Sequence, residues 1–274
     1  LLIMTCNPSR NFLYDDFYLA DKEGTLPYYR KFVNATGLDN PYLSEAYIEN
    51  LKRTLTPSEV NRLLLGNWES QDDPDNLVSS DDIFEMYDHS INVNDDDTRY
   101  ISADIAFKQD GCVLFVWEGN DVIDIIKVGR GEIVLDKIKD VAREYNVQTR
   151  YISYDSDGVG QFLKQYLRSA KAIINNGKVL KNENYANLKT QLYYKLGEMI
   201  RDGKVKIKTN NFKKELEGEL LCIKRKVRGT SESKQEINSK ADQKKLIGHS
   251  PDYADAMAYK MIFNYTKGIF TRAI

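Results

Sequence analysis

Histidine is almost missing from this chain. His89 and His249 are the two present in 274 residues, which excludes a His-rich zinc centre and leaves little room for a His-based triad. The cysteines, Cys6, Cys112 and Cys222, are odd in number and far apart. That spacing argues against a disulfide framework or an all-cysteine zinc site and suits a reducing compartment. No apolar run approaches the roughly 20 residues of a membrane span, and a mean hydropathy of -0.53 with 29% charged residues predicts a soluble protein. Leu1 onward does not read as a signal peptide, because the n-region charge is missing and the polar "TCNPSR" follows at once. There is no G-x-x-x-x-G-K-[ST] phosphate loop, and the Gly158-Val-Gly160 pair is too short for a dinucleotide fingerprint.

What is there is charge, unevenly placed. Residues 69 to 98 hold eleven acidic residues and no Lys or Arg, whereas from Lys171 to Ile247 basic residues outnumber acidic ones by about two to one. The acidic stretch, rich in Asp, Asn and Ser, reads as a surface linker over 71–98. Before it, "LLIMT" reads as a buried strand at the very start, so that the chain reads as a piece of something longer. Tyr29–Val33 reads as a short strand, and helices are expected after Ser44 and after Thr56-Pro57, the second stopping at Gly66. From Arg99 the texture is "RYISADIAF", "CVLFVWEG" and "NDVIDIIKVGR", three strands joined by tight turns and so an antiparallel meander. Helices then alternate with strands to the end: a helix over 132–145, the strand "YISYD", the helix "QFLKQYLRSA", the short strand "AIINN", a long helix ending at Gly203, the strand "KVKIK" and the helix "NFKKELEGELL". The order predicts an α/β fold, a mixed sheet with helices on both faces.

Carboxylates interrupt this pattern in telling places. Asp104 lies inside an apolar strand, where neither cap nor turn explains it and burial is costly without a partner. Asp155 closes a second apolar strand just before a Gly-containing turn. Asp252 and Asp255 stand three apart at the start of an Ala-rich helix, for which Ser250 is the expected N-cap and Pro251 the first helical residue. Taken singly, Asp252 could serve the helix dipole and Asp155 the turn. Together they point to a hard divalent cation held by oxygen ligands alone, Mg²⁺ or Mn²⁺. Asp110 and Asp157 fall in turns and are weaker candidates, and His249 is expected to face solvent or DNA.

These motifs, in this order, resemble the large terminase subunit of tailed bacteriophages. "YISADIAFKQDG" is similar to the first nuclease motif of that family, "YDSDGVGQFL" to the second, and "NSKADQKKLIGHSPDYADAMAY" to the closing segment; "NLKTQLYYKLGEMIRDGKVKI" resembles its helix-strand unit. "LLIMTCNP" resembles the coupling motif at the end of the family's ATPase domain, with Thr5 and Asn7 as coupling residues, and "RLLLGNWE" its final helix.

The resemblance implies an RNase H-like nuclease domain over 99–274, preceded by a partial ATPase-domain segment over 1–70. It implies a Mg²⁺- or Mn²⁺-dependent endonuclease that cuts double-stranded viral DNA during genome packaging in the host cytoplasm, without ATPase activity of its own because the Walker motifs are missing. Asp104, Asp155, Asp252 and Asp255 would be the catalytic metal ligands for two ions about 4 Å apart. Lys204, Lys206, Lys208, Lys213, Lys214, Lys224, Arg225, Lys226 and Arg228 would hold DNA phosphates without reading sequence, and the polar loop over 229–238 would reach over the duplex. Portal and small terminase subunit would be partners of the full-length protein. Two other roles remain open at this point: a DNA-binding or docking part of the motor that does not cut, and an RNase H-like resolvase.

Overall fold

The computed structural model describes residues 2–8, 12–55, 60–68, 75–88, 97–105, 112–129, 133–226 and 233–266. They fall into two compact units, Leu1–Asp73 and Pro74–Ile274.

The first unit is held by aromatic packing. Tyr18 stacks on Trp68 at 5.5 Å with an interplanar angle of 11°, and Phe32 meets Trp68 edge-on at 5.6 Å. Its regular helix, α1, runs Glu45–Thr54, and the Ser44 hydroxyl accepts the Tyr47 N–H as expected of a cap. The strands expected near residues 1–5 and 29–33 do not form. No β-pairing occurs in this unit among the described residues, and Leu2, Ile3 and Val33 are exposed; an apolar run becomes a strand only where a neighbour accepts its ladder. Thr56 and Pro57 lie outside the described residues. Within the helix they were expected to start, the described residues Val60–Leu64 form a π-helix. Gly66 has φ +60°, the left-handed stop expected of it.

The second unit contains a six-stranded sheet. Its strands are β1 (Arg99–Asp104), β2 (Val113–Glu118), β3 (Asp121–Lys127), β4 (Ile152–Asp155), β5 (Lys171–Ile173) and β6 (Lys206–Ile207), in spatial order β5-β4-β1-β2-β3-β6. β1, β2 and β3 form the expected antiparallel meander; β4 and β5 continue parallel to β1 on one side, and β6 lies parallel to β3 on the other. A second, two-stranded ribbon pairs β7 (Arg225–Lys226) with β8 (Glu236–Ile237).

Strand periodicity divides the core in two. Ile101, Ala103, Leu114, Val116, Ile152 and Tyr154 pack against Leu135, Ile138 and Val141 of helix α3 (Val134–Glu144). Tyr100, Val113, Phe115, Trp117, Val122 and Ile125 pack on the opposite face, under helices α4 (Leu188–Arg201), α5 (Lys213–Cys222) and α7 (Asp252–Tyr259). Helices therefore cover both faces, and the alternation turns Asp104 and Asp155 toward α7.

Two local expectations are corrected, and one further helix is present. Residues 75–88, expected on the surface as part of an acidic linker, carry helix α2 (Ser80–Met86) and bury Leu77, Val78, Ile83 and Met86 in the α4–α5 core. Four well-spaced apolar side chains outweigh the acidic composition, and Ser79 with Asp82 forms a capping box. The segment after Asp157 winds as a 3₁₀ helix, Gly158–Gln165, and the Asp157 carboxylate accepts the Asn175 N–H (3.0 Å) instead of capping it. The further helix is α6, Lys240–Ile247, in the Lys-rich closing stretch, where Ser239 caps it and Gly248 ends it at φ +84°.

Candidate metal centre

Two strand ends and one helix start converge on a single place. Ala103 of β1 is level with Tyr154 of β4, so Asp104 and Asp155, one residue further on, stand side by side on neighbouring parallel strands about 4.8 Å apart at the backbone. Helix α7 lies across β1, β2 and β4 and brings Asp252 and Asp255 over them in its first turn and a half. Asp104 is 4% exposed and Asp255 1% exposed.

The electrostatics record the crowding. Burial first, then the charges of Asp255, Asp252 and Asp155, push the Asp104 carboxyl well above the usual carboxylate range, with Lys189 opposing them. Burial also raises Asp155, against the pull of the Asp157 N–H that its Oδ1 accepts at 2.8 Å. Cys112 is raised by burial and by the negative charge of Asp104 and Asp252, so its thiol stays protonated beside them.

The positive charge in this cluster comes from Lys189 of α4. Its Nζ is 2.6 Å from Oδ1 and 2.7 Å from Oδ2 of Asp255. Burial works against the charged amine, but the attraction of Asp255, Asp104 and Asp155 wins, and its pKa is raised. Tyr193, one turn further along α4, donates its hydroxyl to Asp255 Oδ1 at 2.5 Å. Asn175, just after β5, donates to Asp155 Oδ2 at 3.4 Å and accepts the Tyr259 hydroxyl of α7 at 3.1 Å, which ties the strand ends to the far end of the helix.

Among the described residues no three acidic, His or Cys side chains are drawn close enough together to hold a metal ion. The chemistry of the donor set nonetheless fits a hard cation. It consists of carboxylates alone, two of them buried, and it already recruits an ammonium as counter-charge. Asp255 is engaged by Lys189 and Tyr193, so a cation ligated through it competes with Lys189 for the same oxygens.

The sequence singled out the four carboxylates, and the fold brings them to one end of the sheet. Lys189, Tyr193, Asn175 and Tyr259 were missed. Lys189 and Tyr193, four apart on a Leu-rich helix, did share a face in the sequence, but nothing local said what that face would meet. The start of α7 also differs from expectation: Pro251 is its N-cap, Asp252 its first residue, and the Ser250 side chain makes no capping bond.

The basic stretch does not come to the carboxylates as a group. β3 runs away from them toward its start, where Asp121 pairs with Lys206 in the ladder; its other end, Lys127, is level with Val113 and through it with Asp104. Lys206 and Lys208 therefore stand at the far end of the sheet. Lys204 pairs with Asp202 (2.7 Å), Lys208 with Asp121 (2.9 Å) and Lys226 with Glu236 (3.5 Å), while Lys206 donates to the Glu85 carbonyl (2.9 Å) and Lys213 lies over the Tyr87 ring. Arg228 and Asp110 lie outside the described residues, as do residues 229–232 of the loop expected over 229–238, whose remainder carries strand β8 (Glu236–Ile237). Among the described residues no helix is long and apolar enough to cross a membrane.

An antiparallel β1–β3 meander flanked by parallel β4 and β5, with acidic residues ending β1 and β4 beneath a helix bearing two more, defines an RNase H-like fold. Among solved structures, that fold is shared with the nuclease domain of the large terminase subunit gp2 of bacterial virus Sf6, at 17% identity and a TM-score of 0.59 over 68% of this chain and 98% of that one. A point mutant of the same domain matches equally with manganese (TM-score 0.58) and with calcium (TM-score 0.60), each at 17% identity and the same coverage. No family model matches the sequence, and no curated protein does.

Proposed function

We propose that this chain is the nuclease part of a large terminase subunit, an endonuclease that hydrolyses phosphodiester bonds of double-stranded viral DNA with divalent metal ions during packaging. The observation that carries the reading is that Asp104, Asp155, Asp252 and Asp255, from three distant parts of the chain, lie at one end of the sheet, where Asp255, Asp104 and Asp155 attract the Lys189 amine. The manganese and calcium in the Sf6 domain structures support a divalent ion of this kind.

Asp104, Asp155, Asp252 and Asp255 would hold the ions, two of them on the two-metal reading; such ions supply an activated water and neutralise charge on the scissile phosphate. The chain's own residues prepare the place. Tyr193 and Asn175 fix the rotamers of Asp255 and Asp155, and burial under α7 strengthens every charge interaction there. Lys127, exposed at the carboxylate end of β3 with its amine 5.9 Å from the ring centre of Tyr253, is a cation suitably placed for a DNA phosphate. Lys206 and Lys208, at the far end of the sheet, would meet the duplex only at a distance from the cut, whereas Lys213 and Lys214 follow Phe212, whose ring packs on Tyr253 between Asp252 and Asp255. The sequence resemblance of "LLIMTCNP" and "RLLLGNWE" supports reading residues 1–70 as the close of an ATPase domain; portal and small subunit would then be partners of the whole protein.

Plasmid nicking tests the proposal. The chain should convert supercoiled plasmid to nicked and linear forms with Mn²⁺ and not with EDTA, and Asp104→Ala should bring the rate to background. An Asp104→Ala protein that nicks at the wild-type rate refutes it. One observation favours a second reading, DNA docking without cleavage: Lys189 already neutralises Asp255. Salt-sensitive DNA binding with no metal-dependent nicking in the same assay would establish it.

A further inference from the structure

Glu219 of α5 is 1% exposed and lies outside every motif that pointed to the site. Its Oε2 accepts the Ala254 N–H at 2.9 Å, and the Tyr253 N–H also bonds to this carboxylate. Counted from the Pro251 cap, these are the second and third N–H groups of α7. A helix normally satisfies those donors with its own N-cap side chain; Pro251 has none to offer and Ser250 makes no such bond. A carboxylate from another helix does the capping. The two peptide groups it holds are those between Asp252 and Tyr253 and between Tyr253 and Ala254, so they lie between Asp252 and Asp255. His249 adds a second anchor: its Nδ1 is 3.6 Å from Glu219 Oε1 and 2.7 Å from the Ser250 carbonyl, at the entry to the same turn. Phe212, which precedes α5, packs its ring 5.2 Å from that of Tyr253.

We infer that Glu219 is a positioning residue for the metal centre: it locks the first turn of α7 so that Asp252 and Asp255 are presented together over Asp104. The reason is geometric. Asp255 is held through its side chain by Lys189 and Tyr193, but both anchors come from α4. On the α5 side, the carboxylate of Glu219 is what engages the backbone between the two aspartates. A buried acid retained at a site crowded with carboxylates costs stability unless its hydrogen bonds are used, and here they are used on the backbone of the ligand-bearing turn.

The inference rests on the proposed metal site, and its test separates the two. Mn²⁺ binding is measured by electron paramagnetic resonance of the free ion, with thermal unfolding recorded alongside, for wild type, Asp104→Ala, Glu219→Ala, Glu219→Asp and Glu219→Gln. Residues that orient metal ligands change affinity by about 10–100-fold when removed, and that loss is expected for Glu219→Ala. Glu219→Asp, whose carboxylate is set back by one methylene, should show the same direction of change. Glu219→Gln keeps an acceptor oxygen at full reach and should restore most of the affinity. Wild-type Mn²⁺ affinity in Glu219→Ala, even with a lowered melting temperature, would overturn the inference, because a purely structural cap behaves that way. If Glu219→Ala does not fold, wild-type affinity in Glu219→Asp overturns it instead. A wild-type protein that binds no Mn²⁺ would sink the metal-site reading and this inference with it.

Discussion

Lys189→Met is the most informative single change. Methionine fills much the same space but removes the ammonium that contacts both carboxylate oxygens of Asp255. The pair is buried, with side-chain exposures of 15% for the lysine and 1% for the aspartate, so the weak energetics of surface ion pairs do not apply. Removing one member of such a pair strands the other charge in the interior at a cost of about 3–5 kcal/mol. At roughly 2–4 °C per kcal/mol for a domain of this size, the metal-free variant should melt about 6–20 °C below wild type. Divalent metal should reverse much of this. The site then carries the same carboxylates without their resident cation, so Mn²⁺ binds without displacing Lys189, and at 100 times its Kd a ligand stabilises by about 2.7 kcal/mol. Thermal unfolding in EDTA and in saturating Mn²⁺, for both proteins, gives four melting temperatures. The expected pattern is a metal-induced rise that is larger in the variant than in wild type. Melting of the variant within a degree or two of wild type in EDTA, or an equal metal-induced rise in both, would refute the idea that Lys189 stands in for a cation.

Asp104→Asn should raise the melting temperature of the metal-free protein while abolishing Mn²⁺ binding. Asp104 and Asp155 have raised pKa values in the folded state, so their contribution to stability is complete below the ordinary carboxylate range and is lost as pH rises through the elevated values. Metal-free wild type should therefore melt higher at pH 5 than at pH 8, and scanning calorimetry of Asp104→Asn should show a smaller difference. Glu219, raised to about 8 chiefly by burial, adds to the same loss between its unfolded value and pH 8, so Glu219→Gln should flatten the pH profile of the melting temperature over that range. Tyr193→Phe removes the hydroxyl donor to the buried Asp255 and should cost about 1–3 kcal/mol in urea unfolding; no change would show that Lys189 alone satisfies that carboxylate. Leu77→Ala, in the segment whose composition reads as linker, should cost about 2–5 kcal/mol because Leu77 is 3% exposed in the α4–α5 core. A cost near zero would mean that the segment is not docked.

Much of the second unit was legible in the residues alone, for identifiable reasons. β1, β2 and β4 are almost continuously apolar because both of their faces are covered, and such runs announce themselves. The meander was readable from its tight turn at Gly119 and Asn120, and α1 from its Ser44 cap. Asp104 stood out as a candidate ligand because a carboxylate in mid-strand has no local purpose. The errors have local causes as well. In 75–88 the polar and acidic neighbours obscured Leu77, Val78, Ile83 and Met86, and at Leu2 and Ile3 an apolar run lacks the neighbour a strand requires.

What the sequence determined by itself is the set of elements and the acids placed oddly within them, since periodicity, caps and the cost of burying charge act over a few residues. The tertiary structure alone decided which charges meet. Lys189, Tyr193 and Glu219 lie on helices whose surfaces carry ordinary polar residues, and their roles depend on how α4 and α5 dock beside α7, a contact between segments 35 to 66 residues apart. The same docking sent Lys206 and Lys208 to the far end of β3 and left Lys127 near the carboxylates, because strand direction, not position along the chain, determines which end of a sheet a side chain occupies.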